Sequence, residues 1–306
     1  MLQSGGMTQS NAQIHYIEPL YRPPSEADSL ILQITNGCSW NKCAFCEMYT
    51  APQKKFSVKK EAEVFTEIEA AAALYPQARR IFLADGDAMV LSTRRLLAIL
   101  HKINRHFPRL NRISSYCLPR NVQTKSAQEL AQLQAAGLRL VYVGVETGDD
   151  SLLRLIAKGE TFASTTDALL KLHTANIKSS VMILNGLGGK PYSEQHALNS
   201  ARLVNAVQPH YLATLVVSFP LGQKRFLNHF PEDFSLLDQV GLFQEMACFI
   251  ENTELKNTIY RSDHASNYLI LKGILGRDKQ ALLSKIRLAQ NAPDLAKLRP
   301  ESLRGL

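Results

Sequence analysis

The chain has little cysteine, and its cysteines are unevenly placed. Of five in 306 residues, three fall within nine positions, at Cys38, Cys43 and Cys46. No fourth cysteine lies nearby, and no histidine lies between His15 and His101, so the four Cys or His ligands of a structural zinc site are missing. Only Cys117 and Cys248 remain, which excludes a second three-cysteine cluster within the chain. No apolar run approaches the ~18 residues that span a bilayer. The opening stretch Met1 to Met7 has neither the basic flank nor the apolar core of a signal peptide. A cytoplasmic location is therefore expected, where disulfides are rare. The glycine-rich Gly186-Leu187-Gly188-Gly189 lacks a Gly-Lys-Ser/Thr ending and is no phosphate loop. No RNA-binding module, basic stripe interleaved with aromatics or cobalamin-binding pattern is visible.

What is present is a dense thiol loop, Gly37-Cys38-Ser39-Trp40-Asn41-Lys42-Cys43-Ala44-Phe45-Cys46, directly after the apolar Ile31-Leu32-Gln33-Ile34. Three thiolates on one loop can hold three irons of a [4Fe–4S] cluster. The fourth iron then stays open to another ligand, which makes such a cluster a reaction site rather than an electron store. Burial alone gives no reason for this spacing in a loop that also carries Gly, Asn and Lys.

The apolar fraction of 45% and charged fraction of 20% are ordinary for a globular protein. The net charge is +8. The densest basic group, Lys54-Lys55 and Lys59-Lys60, follows the thiol loop and reads as a positive surface. Such a surface steers RNA or an anionic small substrate, or is plain solvation.

Apolar strand-like runs alternate with helical periodicity. Strands are predicted at 31–35, 80–84, 113–117, 140–146, 179–184 and 211–217. Helices are predicted at 61–74, 91–103 with Ser92 as cap, 125–136 ended by Gly137, 150–157, 163–174, 193–206, 234–250 and 279–289. Continuous β-branched runs between helices argue a parallel sheet covered by helices, an α/β fold. In such folds ligands collect at the C-terminal ends of the strands.

The cysteine loop resembles that of the radical S-adenosylmethionine (SAM) superfamily, whose common pattern is C-x3-C-x2-C after the first barrel strand with an aromatic before the third cysteine. Cys43-Ala44-Phe45-Cys46 matches the second half. Four residues rather than three separate Cys38 from Cys43, a variant that a bulge over Ser39 to Asn41 absorbs. The resemblance implies a partial (β/α)6 TIM-like barrel with a short N-terminal arm and a small C-terminal extension: arm 1–27, barrel 28–250, extension 251–306. It implies a [4Fe–4S] cluster on Cys38, Cys43 and Cys46, and SAM as cofactor. The arrangement resembles an uncharacterised group near the coproporphyrinogen-dehydrogenase-like and Elongator-catalytic-subunit-like branch.

The resemblance also assigns the strand ends. Asp85-Gly86-Asp87 stands where the superfamily receives the SAM amino group, with Asp87 preferred over Asp85. Glu146, in Gly144-Val145-Glu146-Thr147-Gly148, stands near the ribose and methionyl parts. Gly186 and Gly188 border the adenine, with Phe45 as the other adenine candidate. As plain turns, the same Asp and Gly residues need no ligand.

Beyond the cofactor shell, Tyr116, Cys117 and Arg120 after the third strand are substrate candidates, although Cys117 also reads as an apolar buried thiol and Cys248 as core. Arg261, His264, Asn267 and Tyr268, in the polar knot 261–268, either return over the barrel mouth to meet substrate or form a solvent-facing linker. Three functions follow. The first is an oxygen-sensitive radical SAM enzyme acting on a small molecule or peptide, reduced by a donor such as flavodoxin or ferredoxin. The second is a radical SAM enzyme modifying RNA. The third is a non-enzymatic heme or iron–sulfur carrier.

Overall fold

The structure, a computed structural model, describes residues 13–304. The Met1 to Met7 stretch, and with it the first part of the expected N-terminal arm, lies outside the described residues.

Among the described residues ten strands follow one another: β1 (Leu30–Gln33), β2 (Thr35–Asn36), β3 (Ser57–Val58), β4 (Arg80–Ala84), β5 (Arg112–Tyr116), β6 (Leu138–Glu146), β7 (Lys178–Asn185), β8 (Tyr211–Val216), β9 (Ile259–Ser262) and β10 (Leu271–Ile274). Eight of them form the central sheet, in the order β1-β4-β5-β6-β7-β8-β9-β10. The pairs from β1 to β9 are parallel, and β10 returns antiparallel to β9. The remaining two, β2 and β3, pair antiparallel and close the cysteine loop at its base.

The helices connect these strands: α1 (Glu61–Leu74), α2 (Thr93–His106), α3 (Pro119–Gln123), α4 (Ala127–Ala135), α5 (Asp150–Leu155), α6 (Phe162–Thr174), α7 (Gly189–Val207), α8 (Lys224–Leu227), α9 (Gln239–Glu251) and α10 (Lys279–Asn291). All six predicted strands are present, and the architecture is a partial parallel (β/α) sheet with flanking helices. Side chains alternate across the strands as the period of two requires. Ile81 and Leu83 of β4 and Val141 and Val143 of β6 join the main core under the helices. Phe82, Ala84, Leu140 and Tyr142 form a separate cluster with Ile31, Tyr116, Tyr211 and Leu20 of the N-terminal segment. That segment is tied in by polar contacts as well. Glu26 is fully buried, accepts from the Tyr142 hydroxyl at 2.7 Å and pairs with Arg112 at 2.7 Å.

The tail departs from the sequence reading. Residues 261–262 belong to β9, and Asn267 is buried rather than set in a solvent-facing linker. Its Oδ1 accepts from Val216 N at 2.8 Å, while its Nδ2 donates to Thr214 O at 2.8 Å and to Ser262 Oγ at 3.0 Å. The four-residue β9 escapes the sequence pattern because Arg261 and Ser262 break its apolar run. Helix α7 starts at Gly189, earlier than predicted, because Pro191 in the first turn needs no intrahelical N–H partner. Helix α9 starts late, at Gln239, where Asp238 accepts from Gly241 N at 2.8 Å. Phe234 and Leu236 instead join an aromatic cluster near the cysteine loop. Cys117 lies in the core, whereas Cys248 is only half-buried against it. Among the described residues no helix is long and apolar enough to cross a membrane.

Candidate functional site

The cysteine loop leaves the C-terminal end of β1, where the parallel sheet gathers its loops. Its base is drawn together by Asn36, whose Nδ2 donates to Gln53 O at 2.7 Å and to Lys55 O at 3.0 Å. Gly37 has φ +66°, and a side chain there would collide with the Lys54 carbonyl. This position needs glycine for conformation and for space.

Three separate parts of the chain hydrogen-bond to the loop. From the turn after α5, Ile156 O accepts from Ala44 N at 2.9 Å and Ala157 O accepts from Trp40 Nε1 at 2.8 Å. From α8, Arg225 donates to Cys46 O at 2.6 Å and to Cys43 O at 3.0 Å. From the end of β4, Asp87 accepts from Ser39 Oγ, and Asp85 accepts from Gly37 N at 3.4 Å.

Cys38, Cys43 and Cys46 are free thiols, the second buried and the others half-buried. Burial pushes all three up in pKa, Cys46 to about 11. Among the described residues no group of three or more Cys, His, Asp or Glu is gathered as a single metal ion would need. A cubane spreads its thiolate ligands more widely than one tetrahedral ion does. Three free thiols on one loop, with no fourth Cys or His gathered beside them among the described residues, fall short of the four ligands of a structural zinc site.

The two aspartates at the end of β4 differ. Both are fully buried. Asp87 has both oxygens engaged, by Ser39 Oγ and Asn121 Nδ2. Burial nevertheless lifts its carboxyl to about 6, against the Ser39 hydrogen bond. Asp85 Oδ2 pairs with Lys54, whereas its Oδ1 has no partner. The buried Tyr49 hydroxyl likewise makes no hydrogen bond of normal length, but it neighbours the Asp85 carboxyl, and each bears on the other's proton. Gly86 lies under the Tyr49 ring, where a Cβ would sit 2.5 Å from a ring carbon. Lys54, expected from the sequence to belong to a basic surface, is fully buried and also donates to Ile17 O at 2.9 Å.

Glu146 ends β6 at a register shift between Gly144 and Glu146, with φ +66°. The irregularity turns its side chain back over Gly144. There Oε1 accepts from Lys158 Nζ at 2.8 Å. Lys158, which no sequence motif marks, is buried, with its ammonium 5.8 Å from the Phe45 ring centroid. Burial opposes its charge, but Glu146 and Cys43 outweigh burial and hold the ammonium above its ordinary pKa. Its one signal in the sequence is a position shortly after Glu146, in the turn that ends α5.

The remaining candidates are engaged by the fold. Arg120 stacks on Trp40, pairs with Glu160 at 2.9 Å and so braces the loop. Tyr116 packs edge-on to Phe82, with centroids 5.2 Å apart. Gly186 N donates to the buried Glu245 at 2.5 Å, and Gly188 caps α7. Arg261 is exposed; the Tyr268 ring lies under Arg304 at 3.6 Å; His264 Nδ1 lies 3.0 Å from Ser266 Oγ. An open depression of about 540 Å³, lined by Ser151, Arg154, Leu155, Tyr192 and His229, lies between α5, the start of α7 and the segment after α8.

A family model described as the radical SAM superfamily matches residues 32–204, more than half of the chain. The chain is 25% identical over 178 residues to the heme chaperone HemW of Bacillus subtilis (strain 168), covering 55% of this chain and 45% of that protein. It thus spans less than half of that relative's length. Coproporphyrinogen III oxidase (HemN) from Escherichia coli superposes with a TM-score of 0.54 at 14% identity, over 79% of this chain and 54% of that one. The methyltransferase TsrM from Kitasatospora setae superposes with a TM-score of 0.50 at 22% identity, over 61% and 36%. These structural likenesses show the fold.

Proposed function

The chain belongs to the radical SAM superfamily, and from that membership we propose that it is an enzyme using a [4Fe–4S] cluster and SAM on a small-molecule or peptide substrate. The observation that carries this reading is the loop of three free thiols, held from three sides at the C-terminal edge of the sheet. Cys38, Cys43 and Cys46 would hold the cluster. When bound, these groups supply reductive cleavage of a sulfonium and hydrogen-atom abstraction from substrate.

The chain's own residues would orient and enclose them. Asp85 offers its unpaired Oδ1 to the cofactor ammonium, whereas Asp87 fixes Ser39 and the loop. Glu146 faces the cofactor from the end of β6. The aromatic cluster of Phe45, Phe219, Phe226, Phe230 and Phe234 excludes water beside the loop. Arg154 gives the open 540 Å³ depression a fixed positive charge suited to an anionic substrate, and Tyr192 and His229 add polar edges. A one-electron donor such as flavodoxin or ferredoxin is the partner this chemistry needs.

Anaerobic protein reconstituted with iron and sulfide, then reduced with SAM present, should release 5′-deoxyadenosine and methionine. Asp85→Asn and Glu146→Gln should weaken SAM binding by roughly 1.5–3 kcal/mol, the scale of a hydrogen bond to a charged group. A loaded cluster that binds no SAM at saturating concentration would overturn the enzyme reading.

The likeness to a heme chaperone favours a second reading, in which the same scaffold carries heme. Heme titration followed by absorbance tests it: saturable one-to-one binding supports carriage, and only nonspecific, unsaturated uptake removes it.

A further inference from the structure

Lys158 is a buried cation that the cofactor assignments leave without a role. Its turn is fastened to the cysteine loop by the Ile156 and Ala157 carbonyls. Its ammonium carries three protons, and Glu146 is its one hydrogen-bond partner among the described residues. Gly144 makes the space: a Cβ there would fall on Glu146 Oε1 and lie 3.2 Å from Lys158 Nζ. Its ammonium lies 5.8 Å from the ring centroid of Phe45, the residue before Cys46, and its charge reaches all three thiols.

We propose that Lys158 and Glu146 form an electrostatic couple that sets the reduction potential of the cluster on Cys38, Cys43 and Cys46. The inference rests on the cluster reading above. Reduction adds negative charge to the cluster. In a buried site a nearby cation favours the reduced form and a nearby carboxylate opposes it. The two members of the couple therefore act in opposite directions, and Glu146 moderates the cation while holding it in place.

The test is a redox titration of reconstituted protein without SAM, followed by electron paramagnetic resonance. Lys158→Met should lower the midpoint by about 59 mV or more, a tenfold shift in a one-electron equilibrium. Lys158→Arg should stay near the wild-type value. Glu146→Gln should raise the midpoint. Opposite signs support the couple, because a merely structural role would change cluster loading without separating the two potentials in this way. Unchanged midpoints, or shifts of the same sign, overturn it. If Lys158→Met takes up no cluster, Glu146→Gln decides alone, and a midpoint that does not rise overturns the proposal. Wild-type protein that holds no cluster refutes the preceding reading instead.

Discussion

The Arg120 guanidinium lies over the Trp40 indole, its carbon 3.9 Å from the ring centroid. The same side chain pairs with the buried Glu160 at 2.9 Å. The additional residue between Cys38 and Cys43 thus sits in a segment pinned by stacking and by the indole hydrogen bond to Ala157. Arg120→Ala should destabilise the protein by about 1–3 kcal/mol, combining a lost stack with a hydrogen bond to charge. Lysine should restore little, because it lacks the planar fork. Urea unfolding measures the loss, and an unchanged midpoint would count against the brace.

Cluster loading should divide the cysteines. Cys38→Ala, Cys43→Ala and Cys46→Ala should each lose most iron and sulfide after anaerobic reconstitution. Cys117→Ala and Cys248→Ala should retain them. Near-full loading in any of the first three removes that residue from the ligand set.

The Lys54–Asp85 pair is fully buried. Lys54→Met leaves the carboxylate without its cation and should cost about 3–5 kcal/mol. The double variant Lys54→Met with Asp85→Asn should lose less than Lys54→Met alone, since it leaves no unpaired charge. Strictly additive losses in a urea double-mutant cycle would show that the two residues do not interact.

Asp87 should give stability a distinctive pH slope. Burial raises its folded-state pKa to about 6 from 3.8. Between these values the folded protein binds the proton more tightly than the unfolded chain. This group's contribution to stability therefore falls as pH rises through the window, by roughly 2–3 kcal/mol in total. Asp87→Asn should flatten that component between about pH 4 and 6. Parallel wild-type and variant slopes in urea unfolding would argue that the carboxyl does not titrate there.

The strands and the thiol loop are legible in the sequence because their signals are local. Apolar runs such as Leu140 to Val145 and the density of Cys38, Cys43 and Cys46 need no knowledge of distant residues. Ser92 and Gly137 mark helix ends for the same reason: one is the N-cap of α2, and the other takes φ +103° after α4. The charge of Lys54 gives the opposite impression from its burial, because its partner Asp85 lies 31 positions away. Strand β9 is hidden because its pairing with β8, rather than its own composition, makes it a strand.

By itself the sequence determined the alternation of strands and helices and the set of thiols available to one cluster, both of which depend on short-range spacing. Only the tertiary structure decided which carboxylate keeps a free oxygen, which lysine is buried beside the thiols and which arginine braces their loop. Those outcomes depend on the packing of separate strand ends. There Asp87 meets Asn121, Glu146 turns over Gly144 toward Lys158, and Arg225 reaches Cys43 and Cys46. Burial then turns each such meeting into a choice between a paired charge and a costly unpaired one.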